Sequence, residues 1–177
     1  MENILILPEI QQKENIKLWK IIIVERNIYS MAQHEFVLIN TVYPEIFDTD
    51  EFYLDLLNKK EKKDIYIIKE VVSMDMDIMF YLYDFFKWIP IRDCSVRTNK
   101  SIDPNGTCVF DVKSHPVFEA IVSGLSTIFS VAPEQITLYR DIEMKYSKAY
   151  LSNLFSELKT VVSALQKEHH YLVHLGV

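Results

Sequence analysis

Hydrophobic positions along this chain change period several times, and each change marks an element. Residues 17–24 (KLWKIIIV) form a β-branched, aromatic run too continuous for a strand with one wet face, which predicts a central strand. Residues 4–7 predict a short strand that Pro8 stops or confines to an edge. Residues 35–42 (EFVLINTV) have strand composition and are read as a strand, although Ile28, Met31, Ala32 and Phe36 also fit one helical face. Residues 48–60 change to helical spacing, with Phe52 and Leu56 four apart. Asp48 or Thr49 is placed to cap this helix, Asp50 and Glu51 occupy the first turn where the dipole favours acids, and Lys59 and Lys60 stand at its end. Residues 64–72 (DIYIIKEVV) predict a further strand.

From Ser73, read as a cap, a helix is expected to run to about Trp88, with Pro90 beyond it. It is apolar nearly all round, from Met76 and Ile78 to Phe85 and Phe86. Asp77, Asp84 and Lys87 share one narrow side with Tyr81 between them, so it reads as a core helix with a polar seam. Residues 94–99 and 106–112 suit a hairpin through Asp103-Pro104-Asn105-Gly106, whose order fits a type I turn. Ser114-His115-Pro116 then opens a helix, with Val117, Ile121, Leu125 and Ile128 as its expected buried face. Residues 135–140 (QITLYR) are read as the last strand. Residues 146–169 are read as the last helix, with a seam of Leu151, Leu154, Leu158, Val161 and Leu165 that docks on the sheet. The fold class expected is α+β. Residues 1–177 form one compact domain in this reading, with a mostly antiparallel or mixed sheet of about five strands packed against three to four helices.

Composition narrows the function classes. Hydrophobic residues make up 49% of the 177 and charged residues 25%, which is ordinary globular usage. Only three glycines occur, Gly106, Gly124 and Gly176, too far apart in sequence for a phosphate loop, a dinucleotide fingerprint or a nucleophile elbow. The net charge of −6 argues against a nucleic-acid binder and suits a basic partner. The run 59–63 reads as a solvated helix end. No stretch approaches the roughly 20 apolar residues of a membrane helix, and the first residues lack a signal-peptide pattern, so no membrane association and a cytoplasmic location are expected. Cys94 and Cys108 flank the turn out of register, Cys108 falling opposite Ser101, which predicts free thiols in a reducing compartment.

Candidate chemistry is sparse. His170 and His174 stand four apart beside His169, a spacing that shares a metal only on a helix and only with a third ligand. Tyr171-Leu172-Val173 between them looks like a strand or tail, so no metal and no cofactor is assigned. Asp75 and Asp77, two apart on a helix, point to different sides and form no carboxylate dyad. Cys94 or Cys108 with His115 carries no nucleophile signature, so no catalytic residue is assigned. Asp77, Tyr81 and Asp84 are an alternative cleft, to be completed by a distant histidine such as His115 or His34. The leading feature is the mixture of acids and aromatics in residues 45–55 (EIFDTDEFYLD). There Glu45, Asp48, Asp50, Glu51, Tyr53 and Asp55 would bind a basic protein partner, as an inhibitor or immunity-type protein does. A structural subunit that forms a homodimer through 146–169 is a further reading.

Overall fold

The continuous apolar run Phe36-Val37-Leu38-Ile39 lies in a strand buried on both faces, and the rest of the fold is arranged around it. The computed structural model describes residues 33–92, 101–104, 106–139 and 143–176. The strands expected at 4–7 and 17–24, and the first arm of the hairpin at 94–99, lie outside these residues.

Among the described residues one sheet has four strands in the order β2-β1-β6-β3, with every neighbouring pair antiparallel. β1 is Gln33–Asn40, β2 Ile67–Asp75, β3 Thr107–Phe110 and β6 His170–Leu175. β4 (Gln135–Tyr139) and β5 (Glu143–Ser147) pair separately as a two-stranded antiparallel sheet. Four α-helices complete the described fold: α1 Asp50–Leu57, α2 Met76–Phe86, α3 His115–Ser130 and α4 Lys148–Ser163. This is the α+β class expected, divided between a four-stranded and a two-stranded sheet. No described helix is long and apolar enough to cross a membrane.

Period-2 alternation in β1, β3 and β6 sends side chains to two hydrophobic clusters. Phe36, Leu38, Cys108, Phe110 and Leu172 face α2, α3 and α4. Val37, Ile39, Val109, Val173 and Leu175 face α1 and the 3-10 turn Pro44–Asp48 before it. The seam of α4 behaves as its spacing predicts: Leu151, Leu154, Leu158 and Val161 are buried, as is Leu165 in the 3-10 turn that follows. α4 packs on α3 and against β2, so this seam is used within the chain.

Several boundaries differ from the sequence reading, each for a local reason. Ser73 lies inside β2, and Asp75 is the extended residue before α2. Tyr146 and Ser147 belong to β5, and the Ser147 hydroxyl caps α4 by accepting from the Tyr150 amide at 3.1 Å. Residues 135–139 are not the last strand, because 170–175 return as β6 between β1 and β3. α1 ends at Leu57, not at Lys60. Lys59 turns left-handed (φ 54°), its amide donating to Leu56 O and that of Lys60 to Asp55 O, a Schellman closure. The buried face of α3 is Phe118, Val122 and Leu125; Val117 and Ile121 are half-buried, and Ile128 is exposed. Ser114 precedes α3 without capping it; its hydroxyl donates to Pro90 O and accepts from the Asp111 amide. The turn expected at 103–106 closes, with the Gly106 amide donating to Asp103 O at 3.1 Å.

Candidate functional site

The acidic, aromatic segment separates cleanly into two faces. Phe47, Phe52, Tyr53 and Leu56 turn inward, and the Phe47, Phe52, Tyr53, Tyr66 and Tyr171 rings pack edge to face with centroids 4.8–5.3 Å apart. Tyr53 is therefore core, its hydroxyl donating to Phe47 O at 3.1 Å, and it cannot serve as the outward anchor expected of it. Glu45, Asp48, Asp50 and Glu51 do face solvent. Asp55 is half-buried, and the Lys62 ammonium bridges it (2.9 Å) to Glu51 (2.7 Å). Hydrogen bonds to those two carboxylates hold the Lys62 pKa above its ordinary value. The exposed apolar groups of α1 are Leu54 (58%) and Leu57 (49%), in line with Asp50 at helical spacing. A cleft of about 220 Å³ opens on the Glu51–Asp55 side of the helix, lined by Glu45, Thr49, Glu51, Phe52, Asp55 and Lys62 among others.

The alternative cleft residues Asp77, Tyr81 and Asp84 share one side of α2, and one of the two carboxylates, Asp84, is paired within the helix end. Asp84 accepts from the Lys87 ammonium, and that bond raises the Lys87 pKa. Asp77 is half-buried and Tyr81 exposed. Asp75 precedes the helix in extended geometry, so Asp75 and Asp77 are not a pair within one helix, and the charges of both act on Tyr146. Burial, then Asp75 and Asp77, push the Tyr146 phenol up. Its buried hydroxyl has no partner in hydrogen-bonding geometry. Burial first, and Asp75 second, push Tyr150 up to about 12, and its hydroxyl donates to Asp75 Oδ2 at 3.3 Å. Raised phenols beside carboxylates are poor proton donors to water, so this cluster is suited to holding the α2 and α4 termini together.

The histidines are arranged in a way that their spacing does not suggest. His170 and His174 lie on one strand about 13 Å apart along its axis, out of reach of a shared ion. His170 Nδ1 contacts Asn40 and Glu168 O instead, and His169, left-handed at φ 61°, pairs with Glu168. His174 meets His34: Nε2 and Nδ1 are 3.0 Å apart, the rings are stacked, and both residues are fully buried. That contact uses one proton, so one N–H and one bare nitrogen remain unpartnered at His34 Nε2 and His174 Nδ1. Burial, and then the neighbouring His34, push His174 down to about 3; burial also lowers His34. Cys108 is buried and forms no disulfide; it lies opposite His174 in the sheet, while His115 Nε2 contacts Glu119 and Gln166. Cys94 lies outside the described residues. Among the described residues no three His, Cys, Asp or Glu side chains gather where they could hold a metal ion.

Two of the three glycines, distant in sequence, meet in space. The Gly176 amide donates to Gly106 O at 2.8 Å, and a Cβ on Gly176 would lie 2.6 Å from the carbonyl oxygens of Gly106 and Pro104. They join a sheet strand to a turn and make no phosphate cradle. Sequence reasoning missed the Asp75–Tyr150 bond and the His34–His174 contact, both set by pairing across many residues. It also counted Phe85 with the core side of α2 and took Trp88 only as the helix end, whereas both are exposed, as is Tyr81 of the alternative cleft. Compared with known protein families, with curated proteins and with solved structures, the chain matches none.

Proposed function

We propose that this protein is a protein-binding module that docks a basic partner on the outward face of α1, as an inhibitor or immunity-type protein occludes a basic enzyme. The observation that carries the reading is the exposure of Leu54 and Leu57 in line with Asp50 on α1, together with the exposure of Glu51 and, in the turn before the helix, of Glu45 and Asp48. Exposed leucines on a short helix supply desolvation energy once covered, and the surrounding acids steer and orient a cationic partner. Leu54, and not Tyr53, takes the place of the anchor. The net charge of −6 favours the same sign of partner.

The enzyme alternative at Asp77, Tyr81 and Asp84 gains nothing from an Asp84 that already holds Lys87. A homodimer through 146–169 would have to use the outer side of α4, where Asn153, Ser156, Glu157, Lys159 and Thr160 are exposed and polar.

The test is recovery of partners from the native cell by the tagged chain, beside a variant carrying Asp48→Lys, Asp50→Lys, Glu51→Lys and Leu54→Ser. A basic protein held by the first and lost by the second supports the reading. Leu54→Ala alone is then expected to weaken binding to the purified partner by more than about 1 kcal/mol. A partner held equally by both chains rules this face out.

A further inference from the structure

We infer that the outward stripe of α2 is a second docking surface, and that its occupant is an arginine-bearing segment of a basic protein. Tyr81, Phe85 and Trp88 are 45%, 44% and 63% exposed; Tyr81 and Phe85 stand four apart on α2, and Trp88 follows in the turn that closes it, its amide donating to Phe85 O. The Phe85 and Trp88 rings meet edge to face at 5.7 Å, so Trp88 is held in place while most of its surface stays in water. Tryptophan and tyrosine on an open surface are the side chains that contribute most once covered.

The charges along the same stripe select the occupant. Asp84, whose side chain is exposed, precedes Phe85 and Trp88, and the half-buried Asp77 stands one turn before Tyr81, so acids and rings share this stretch of α2 and the turn after it. Two carboxylates face one ammonium, Lys87, which is bound to Asp84. A guanidinium satisfies both chemistries at once, since its plane stacks on an aromatic face while its edge hydrogen-bonds a carboxylate. The protein already contains the ring half of that arrangement, with the Arg92 guanidinium 5.6 Å from the Phe47 ring centroid and 5.9 Å from that of Tyr171. A lysine ammonium stacks less well, and a second copy of this chain would bring another −6 charge to an acidic stripe.

The inference rests on the reading of the chain as a protein-binding module but concerns another face, and its test needs no identified partner. The probes are fluorescently labelled tetra-arginine and tetra-lysine peptides of equal charge, titrated by anisotropy against the full chain in 0.15 M salt. Phe85→Ala, Trp88→Ala and the double variant are compared with a chain carrying Asp48→Lys and Asp50→Lys on the α1 face. Tetra-arginine is expected to bind at least fivefold tighter than tetra-lysine. The double aromatic variant should lose that advantage, and the α1-face variant should keep it. All three aromatic variants alter exposed side chains, and matching circular dichroism establishes that they fold. Equal binding of the two peptides overturns the proposal, as does an arginine preference that survives the double variant. So does a dimer in sedimentation that Trp88→Ala abolishes, since the stripe would then belong to self-association. An arginine preference lost only in the α1-face variant overturns this proposal and leaves the α1 reading standing.

Discussion

A buried pair of neutral imidazoles makes His34 and His174 the residues most exposed to a change of pH. In the unfolded chain each titrates near 6.5; in the fold both are lowered, His174 to about 3 by burial and by His34. The unfolded state therefore binds more protons below pH 6.5. Their contribution is fully present above that value and is lost as the pH falls toward 3. Stability is therefore expected to fall steadily with pH below 6.5, with His174, the more strongly lowered of the two, carrying the loss to the lowest pH. Urea unfolding between pH 7.5 and 5 isolates this effect from most carboxylates. His174→Phe, which keeps a ring against Phe36, is expected to flatten the pH slope. A slope that the substitution leaves unchanged would place the acid sensitivity elsewhere. The sequence offered no sight of this pair. His34 and His174 are 140 residues apart, and only the register Phe36↔His174 brings them together. The same long-range pairing explains why Tyr53 was misplaced: composition marks an aromatic on an acidic segment, but packing against Phe52 and Phe47 decides which way it turns.

Helices were legible where the apolar spacing was strict and misread where a neighbouring strand took their ends. The α4 seam reads off Leu151, Leu154, Leu158 and Val161, each at a spacing only a helix uses. Tyr146 and Ser147 were lost to β5 because β4 supplied a partner for them, and pairing outweighs propensity at a boundary. α3 rotated by one position because Phe118, larger than Val117, fills the space between Phe36, Phe86 and Phe110. Within that helix Gly124 is exposed, and a Cβ built there meets nothing within 4 Å. Gly124→Ala is accordingly expected to raise stability by about 0.5–1 kcal/mol through backbone entropy and helix propensity. Gly176→Ala should do the opposite, because its Cβ would press on two carbonyl oxygens of the 104–106 turn, and crowding of this kind costs about 1–3 kcal/mol. Chemical denaturation of the two variants beside the parent chain decides the signs. Two shifts in the same direction would contradict the packing described for one of the sites.

At the scale of the whole molecule, the sheet is shared by two hydrophobic clusters, and this governs how the fold comes apart. The α+β class was readable from alternating elements, but strand order was not: nothing local to residues 170–175 says that they insert between β1 and β3. That insertion makes β1 and β6 central, each giving neighbouring residues to opposite faces: Phe36 and Val37, Leu172 and Val173. A strand of this kind cannot release one cluster while keeping the other, because the same backbone ladder holds both sets of side chains. The described fold should therefore unfold as one cooperative unit, although α1 covers one face and α2, α3 and α4 the other. Phe52→Ala on the α1 side and Phe155→Ala on the α4 side each remove a buried ring, at an expected cost of about 3–5 kcal/mol. Both variants should show one transition, moved to lower urea, with far-ultraviolet circular dichroism and tyrosine fluorescence coinciding. If Phe52→Ala instead gave an early fluorescence change while the circular dichroism kept the parent midpoint, the α1 layer would open on its own. The acidic face proposed to bind a partner would then stand on a part of the fold that opens before the rest.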